Sequence, residues 1–145
     1  MSHTSTVLLV LALTLIGFTA NATTYSEKQL NCLAQNIYHE SRGESIQGQF
    51  AVAFVTLNRT EDENFPRSIC GVVYQKGQFS WTKHKPIISE GSAWGTALIV
   101  AKIALYLHAK GKDNTQGAVY FDGGKHKQNF HKIQTVRIGN HSFYQ

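Results

Sequence analysis

Cysteine is scarce in this sequence, and its spacing excludes two common classes of cysteine-based site. The chain has 145 residues and only two cysteines, Cys32 and Cys70. There is no CxxC pair, which excludes a zinc ribbon and a thioredoxin-like redox motif. In an oxidising compartment two such cysteines can pair. Conditional on export, we predict a Cys32–Cys70 disulfide, the alternative being two buried thiols.

Histidine is more abundant, but its spacing does not predict a metal site. Of the seven histidines, His39 is followed by Glu40 and so begins like a zincin motif. The second histidine of that motif would stand at position 43, which is a glycine. Three further histidines near the C-terminus lack the spacing of zinc ligands: His126, His131 and His141. We therefore predict no metal and no cofactor.

Charged side chains are absent from residues 1–22. An apolar run over 7–19 precedes Ala20-Asn21-Ala22, the small-x-small pattern of a signal-peptide cleavage site. The run is shorter than the about 20 apolar residues that span a membrane, although the usual preceding basic residues are missing. We predict a signal peptide over 1–22 and a single domain over 23–145, the alternative being an uncleaved membrane anchor.

The positive charge therefore lies on the domain that follows. The net charge of +5 falls entirely within 23–145, which we expect to be secreted or periplasmic, with no stable membrane insertion after cleavage. A basic exported domain suits an anionic partner such as a cell wall, a membrane face or nucleic acid. Charge alone does not choose among these partners.

Two segments after the signal peptide have the pattern of packed helices. Ser26 and Gln29 form a capping-box start. Apolar residues then follow at helical spacing: Leu30, Leu33, Ala34 and Ile37. Gly43 is expected to end this helix in the left-handed conformation. The segment 48–57 is apolar nearly all round, and its β-branched residues make a strand possible. Its ten residues between polar flanks, directly after a turn, favour a buried helix, which Asn58-Arg59 closes.

The C-terminal half changes from helical to strand periodicity. The segment 68–74 is buried and of ambiguous type. Ser92 is predicted to cap a helix that ends at Gly111. Three short strands follow: residues 117–122, 134–138 and 142–144. Gly139-Asn140 is predicted to form a tight turn between the last two. The fold class is α+β, mainly helical with a small antiparallel sheet near the C-terminus.

One glutamate continues the apolar stripe of the first helix. Glu40 comes three residues after Ile37 and seven after Leu33, which places it on the inward face. It also lies in the last turn, where the helix dipole is negative. Both effects raise a carboxyl pKa, and a protonated carboxyl group can act as the general acid in glycosidic bond cleavage. The alternative is a glutamate at a helix end with its head in water.

Glycosidases usually need a second carboxylate, and two residues are candidates. Glu44 lies beyond Gly43, so its direction is open, and it can instead complement the dipole of the next helix. Asp122, which follows a predicted strand, is the distant option. The sequence leaves this choice open.

Several ordered blocks resemble the cell-wall hydrolase family of the spore-cortex-lytic SleB/CwlJ type. They are CLAQNIYHESRGES, GQFAVAFVTLNR, FPRSICGVVYQKGQFSW, GAVYF and IGNHSFY, and they span roughly residues 30–144. The resemblance implies a lysozyme-like or lytic-transglycosylase-like domain that acts on peptidoglycan. It carries the role of catalytic acid to Glu40 and a site role to Glu44. It also carries family blocks to Asn58-Arg59 and to residues 77–80.

The resemblance further implies a mechanism that needs one carboxyl group. In a lytic transglycosylase the C6 hydroxyl of the sugar attacks the anomeric centre and forms a 1,6-anhydro product. Hydrolysis would need a second carboxylate at a defined separation. We therefore expect a monomeric enzyme that cleaves the MurNAc–GlcNAc bond of peptidoglycan strands and does not act on nucleic acid.

Aromatic and polar residues are expected to bind the sugar chain. Aromatic rings can stack on pyranose faces, and amide or hydroxyl groups can hydrogen-bond to the sugar; core packing and local turn bonds are the alternatives. The predicted substrate-binding residues are Tyr38, Glu44, Asn58, Gln78, Phe79, Ser80, Trp81 and Tyr120. A non-enzymatic module that binds wall glycan is the main alternative function, and it would tolerate Glu40→Gln.

Overall fold

The computed structural model describes residues 25–84, 87–123 and 131–145. The predicted signal peptide over 1–22 and His126 lie outside these ranges. The elements in chain order are α1 Glu27–Ser41, α2 Ile46–Glu61, α3 Ile69–Val73, a 3₁₀ turn Ser80–Lys83, α4 Gly91–His108, β1 Tyr120–Asp122, β2 Gln134–Ile138 and β3 His141–Tyr144. The predicted α+β order, helices first and then a small antiparallel sheet, is confirmed. No helix in the described ranges is long and apolar enough to cross a membrane.

The first helix begins at the predicted cap. The Ser26 hydroxyl accepts a hydrogen bond from the Gln29 N–H at 3.4 Å. The Gln29 side chain does not return the second bond of a capping box, because its Oε1 accepts from the Cys70 N–H at 3.0 Å. The start of α1 therefore also holds the start of α3.

The end of the first helix differs from its prediction. Gly43 follows the helix but does not have a positive φ angle, so the predicted left-handed stop is wrong. A short turn closes the helix instead, in which the Glu44 N–H donates to the Ser41 carbonyl at 2.9 Å. Because Ser45 already caps α2 through the Gly48 N–H, the chain enters the second helix at once.

The predicted disulfide is confirmed. Cys32 of α1 and Cys70 of α3 are bonded. The ambiguous segment 68–74 forms the short helix α3, which Ser68 caps by accepting from the Gly71 N–H at 3.1 Å. The bridge and the Gln29 bond together attach this one-turn helix to α1.

The second helix lies at the centre of the core. Segment 48–57 is helical, as expected from its length and polar flanks, but α2 runs on to Glu61. Asn58 and Arg59 therefore lie inside the last turn rather than closing the helix. Helices α1 and α4 pack against α2 and against each other. Fully buried residues of this core are Leu33, Ile37, Ala53, Leu57, Ala101 and Ala104.

The last helix begins earlier than predicted. Its N-cap is Glu90, without a side-chain cap bond, and Ser92 lies inside the helix. The entry is held instead by Tyr38, whose hydroxyl accepts from the N–H groups of Ser89 and Glu90, each at 3.2 Å. Gly111, the residue at which the helix was predicted to end, follows the last helical residue with a φ of +68°, in the left-handed region.

The sheet has the strand order β1-β3-β2, and both pairings are antiparallel. The predicted turn between β2 and β3 is confirmed, and Gly139 has a φ of +58°. β1 is shorter than the predicted 117–122, because Gln116 and Gly117 both have positive φ angles and so leave the extended conformation. Phe143 of the central strand belongs to one buried apolar cluster with Ala51 and Val55 of α2, which attaches the sheet to the helices.

Candidate functional site

Glu40 lies half-buried in the last turn of α1. Burial raises the pKa of its carboxyl group, and the positive charge of Arg59 partly offsets this effect. No side chain or backbone group in the described ranges donates a hydrogen bond to the carboxyl group. A carboxyl group in this position holds its proton closer to neutral pH than an exposed glutamate does, and part of its side chain remains accessible.

Arg59 is a buried cation in the last turn of α2, with 5% of its surface exposed. Its Nε donates to the Val119 carbonyl at 2.7 Å. The guanidinium carbon lies 4.9, 5.6 and 5.8 Å from the ring centroids of Phe65, Phe79 and Tyr120. Burial lowers the pKa of Arg59 to about 10, so the group remains charged at neutral pH.

One nitrogen of the Arg59 guanidinium lacks a hydrogen-bond partner in the described part of the chain. Its Nη1 is buried and has no hydrogen-bond partner among the residues that the structure describes. Arg59 and Glu40 each shift the pKa of the other, yet none of their nitrogen and oxygen atoms lie within the 4.0 Å of a direct ion pair. The positive charge of Arg59 therefore lowers the pKa of Glu40 without forming a direct ion pair with it.

Glu44 is held in a different place. Its Oε1 accepts from the Asn140 side-chain amide at 2.9 Å, and its Oε2 accepts from the Asn140 backbone N–H at 3.1 Å. The side-chain hydrogen bond from Asn140 is the main cause that lowers the pKa of Glu44. Both oxygens accept bonds inside the protein, so Glu44 joins the α1–α2 turn to the β2–β3 turn. A substrate contact of Glu44 stays a prediction.

Asp122, the other candidate for a second carboxylate, is also engaged. It accepts from the Tyr144 hydroxyl at 3.1 Å. Burial lowers the pKa of His141, and the charges of Glu44 and Asp122 oppose that shift. Both carboxylates thus interact with His141 of β3, whereas the charge that acts on Glu40 is that of Arg59.

Asn58 was expected to bind sugar, but its amide is fully used inside the domain. Its Nδ2 donates to the Asp113 carboxylate and to the Ala118 carbonyl, each at 2.9 Å. Its Oδ1 lies 3.1 Å from Nε2 of His108. The physical role of Asn58 is to fasten the segment before β1 to α2 and α4.

Two of the expected sugar-stacking or cleft residues lie in the core, which is the alternative that the sequence left open for both. Tyr38 is 1% exposed, and Phe79 is 4% exposed. Tyr38 directs its hydroxyl to the start of α4, and Phe79 packs between Arg59 and Phe121. Neither ring presents a face to a ligand in this structure.

The remaining predicted binding residues lie at or near the surface. Gln78 and Ser80 are exposed, and Tyr120 is half-buried against Arg59. Trp81 is half-buried: one face stacks on the His39 ring, at 4.4 Å between centroids, and its Nε1 donates to the Asn36 side chain at 3.3 Å. These four residues keep accessible surface, so sugar binding by them stays a prediction.

The contribution of Arg59 to the electrostatics of Glu40 was missed from the sequence, although a signal for it exists. Arg59 follows Val52 by seven residues and Val55 by four, so it continues a buried helical stripe. The same spacing argument identified Glu40 on α1. The expectation that α2 closes at Asn58-Arg59 hides this spacing, because a residue that ends a helix does not extend its buried stripe.

The chain is similar in sequence to known wall-degrading proteins. The profile of the Cell Wall Hydrolase family matches residues 43–144, a range that begins three residues after Glu40. Spore cortex-lytic enzymes from Bacillus cereus and Bacillus subtilis (strain 168) are 33% and 30% identical over 122 residues, which is 82% of this chain. The chain spans less than half the length of these relatives, 45% and 38% respectively.

Solved structures agree with the sequence comparison. The catalytic domain of the Bacillus cereus SleB protein superposes with a TM-score of 0.70 at 29% identity, covering 89% of this chain and 98% of that one. The catalytic domain of the germination-specific lytic transglycosylase SleB from Bacillus anthracis gives 0.67 at 28% identity, covering 85% and 98%. The resemblance read from the sequence blocks is thereby confirmed, and the chain belongs to the cell wall hydrolase family.

Proposed function

We propose that this chain is an exported enzyme, secreted or periplasmic, that degrades peptidoglycan by cleaving the MurNAc–GlcNAc bond as a lytic transglycosylase. Glu40 is the general acid and base. The observation that carries the proposal is the state of Glu40: it is half-buried, burial raises its pKa, and no group in the described ranges donates a hydrogen bond that would favour the charged form. Family membership and the spore cortex-lytic relatives support the substrate class.

The chemistry needs one proton carrier. The protonated Glu40 gives its proton to the glycosidic oxygen as the bond to the MurNAc anomeric carbon breaks, and the GlcNAc side leaves with a free hydroxyl group. The Glu40 carboxylate then takes the proton of the MurNAc C6 hydroxyl, whose oxygen bonds to the anomeric carbon. Glu40 ends protonated and no water is consumed. The engagement of Glu44 and Asp122 elsewhere favours this single-carboxyl route over hydrolysis.

Mass spectrometry of peptidoglycan digested by the purified domain tests the proposal. We expect fragments with 1,6-anhydro ends, each lighter by one water than the corresponding hydrolytic fragment. Glu40→Gln keeps the side-chain shape and removes the acid, so it should release no fragments. Glu63→Gln, at an exposed glutamate in the loop after α2, is the matched control and should behave as the unchanged protein.

Other outcomes would correct the proposal in different ways. Reducing ends in place of anhydro ends would mean hydrolysis and would overturn the transglycosylase part. Retention of wall binding without any fragments would favour the non-enzymatic glycan-binding module. Full activity of Glu40→Gln would remove Glu40 from the mechanism.

A further inference from the structure

Arg59 has an arrangement that a purely structural arginine does not need. The three surrounding rings and the bond from Nε to the Val119 carbonyl hold the guanidinium in one place. An unpaired donor in the interior costs about 1–3 kcal/mol, so nearly all buried donors are paired. The Nη1 of Arg59 is buried and lacks a partner among the described residues. A partner that forms only during function would explain this exception.

We propose that Arg59 is a positioning residue for Glu40, whose free Nη1 holds the carboxylate that forms when Glu40 has given its proton to the substrate. The inference rests on the proposed function, because it assumes that Glu40 is the acid. While Glu40 is protonated, it offers the guanidinium no negative charge, and the two groups make no direct ion pair. Proton loss creates that charge.

The timing of this contact makes it useful for catalysis. Hydrogen bonds between charged partners are about twice as strong as neutral ones. An interaction that strengthens as the proton leaves lowers the barrier, whereas one that is equally strong before and after does not. The guanidinium is already held in place, so the approach needs only a movement of the Glu40 side chain, which lies beyond ion-pair distance in this structure. The same contact would keep the carboxylate in place to accept the proton of the C6 hydroxyl.

The other charges near this end of the molecule act elsewhere. On α1 itself, Arg42 pairs with Glu90 at 3.4 Å, and its field acts on His39. Glu44 and Asp122 act on His141. Tyr120 of β1 packs on Arg59 and acts on that residue. Among the described residues, Arg59 of α2 is the charged group that offsets the burial of Glu40. The two helices also meet here, because the Asn36 side chain of α1 donates to the Thr56 hydroxyl of α2 at 3.0 Å, one turn before Glu40 and Arg59 respectively.

The variants Arg59→Met and Arg59→Lys test the proposal through the pH dependence of kcat/KM. Methionine removes the charge at similar length, so Glu40 should keep its proton to higher pH. The alkaline limb of the profile should move to higher pH, and kcat should fall by about 100-fold, the size typical of losing one fixed donor. Arg67→Met, at an exposed arginine bonded only to the Glu61 carbonyl, is the matched control and should change neither quantity.

Lysine separates charge from geometry and also covers a methionine variant that does not fold. Arg59→Lys keeps the charge but loses the forked donor, so the alkaline limb should stay near its original pH while kcat falls. Circular dichroism establishes that each variant is folded, and a ¹³C-NMR titration of the Glu40 carboxyl group reports its pKa independently of activity.

Two results would overturn the role of Arg59. One is a folded Arg59→Met variant in which neither the alkaline limb of the pH profile nor the titration of Glu40 has moved. The other is an Arg59→Lys variant with unchanged kcat. Failure of the proposed function is a separate result, because it appears as activity in Glu40→Gln whatever residue stands at position 59.

Discussion

The carboxylate of Glu44 accepts two hydrogen bonds from Asn140, a residue 96 positions further along the chain. One bond comes from the backbone N–H and the other from the side-chain amide. The neighbouring Gly139 has a positive φ angle, and a Cβ atom on it would collide with the Glu44 carboxylate. A side chain at position 139 would have to displace the Glu44 carboxylate and adopt a positive φ angle, so both effects favour glycine there. The contact attaches the sheet to the turn that follows Glu40.

This contact between Glu44 and Asn140 should be measurable as a coupling energy between the two residues. Glu44→Ala and Asn140→Ala should each lower the free energy of unfolding by about 1–2 kcal/mol, because each removes a charge-assisted pair. The double variant should cost less than the sum of the two. Urea denaturation of the four proteins gives the coupling energy of the side-chain bond, because the bond from the backbone N–H of residue 140 remains in Asn140→Ala. Strict additivity would mean that the side-chain bond contributes nothing.

The stabilisation by the Glu44–Asn140 contact should also depend on pH. Its hydrogen bonds lower the pKa of Glu44 below the ordinary 4.5 in the folded state. Its stabilisation is then fully present above pH 4.5 and is lost as the pH falls through the folded pKa. The coupling energy should therefore vanish in strongly acidic urea titrations, provided that the domain still folds there.

Glu40→Gln should make the domain more stable at neutral pH while removing activity. Burial raises the pKa of Glu40 in the folded state, so the ionised form is disfavoured by folding. This penalty is absent when the group is protonated in both states and grows as the pH rises above the unfolded value of about 4.5. Thermal unfolding at pH 7 should show a higher Tm for the variant, and the difference should close near pH 4. A lower Tm at pH 7 would contradict a desolvated Glu40.

Removal of the disulfide should destabilise the domain without altering the site. Cys32 and Cys70 close a loop with a sequence separation of 38 residues, and the chain-entropy treatment assigns such a loop about 4 kcal/mol. The double variant Cys32→Ala, Cys70→Ala should lower the urea midpoint, while its kcat, measured well below the transition, should stay unchanged. A loss of kcat in the folded variant would mean that α3 positions the site directly.

Asn58→Ala distinguishes a structural from a substrate-binding asparagine. The change removes the donor to the Ala118 carbonyl and one donor to the Asp113 carboxylate, which keeps its bonds from Thr115 and Gly117. We expect a loss of about 1–3 kcal/mol in unfolding free energy. KM for solubilised glycan strands should stay within about twofold once folded protein is counted, because a group that does not touch the substrate does not alter uniform binding. A several-fold rise in KM with unchanged stability would restore the substrate-binding role.

The sequence by itself determined the features that depend on neighbours along the chain. The cap at Ser26, the helical character of 48–57, the bounds of β2 and the Gly139-Asn140 turn all follow from short-range spacing and backbone preference. The inward position of Glu40 belongs to the same group, because helical periodicity alone says which face a residue occupies.

Tertiary structure alone decided what lies opposite each of these residues. Spacing cannot show that Arg59 acts on Glu40 or that Asn140 donates to both oxygens of Glu44. Nor can it show that the polar groups of Asn58 and Tyr38 form hydrogen bonds with distant segments. Each of these contacts joins residues far apart in the chain, and each forms only after α1, α2, α4 and the sheet have packed. Glu40 was predicted as the acid from the periodicity of α1 alone, whereas the charge that acts on it comes from Arg59 of α2.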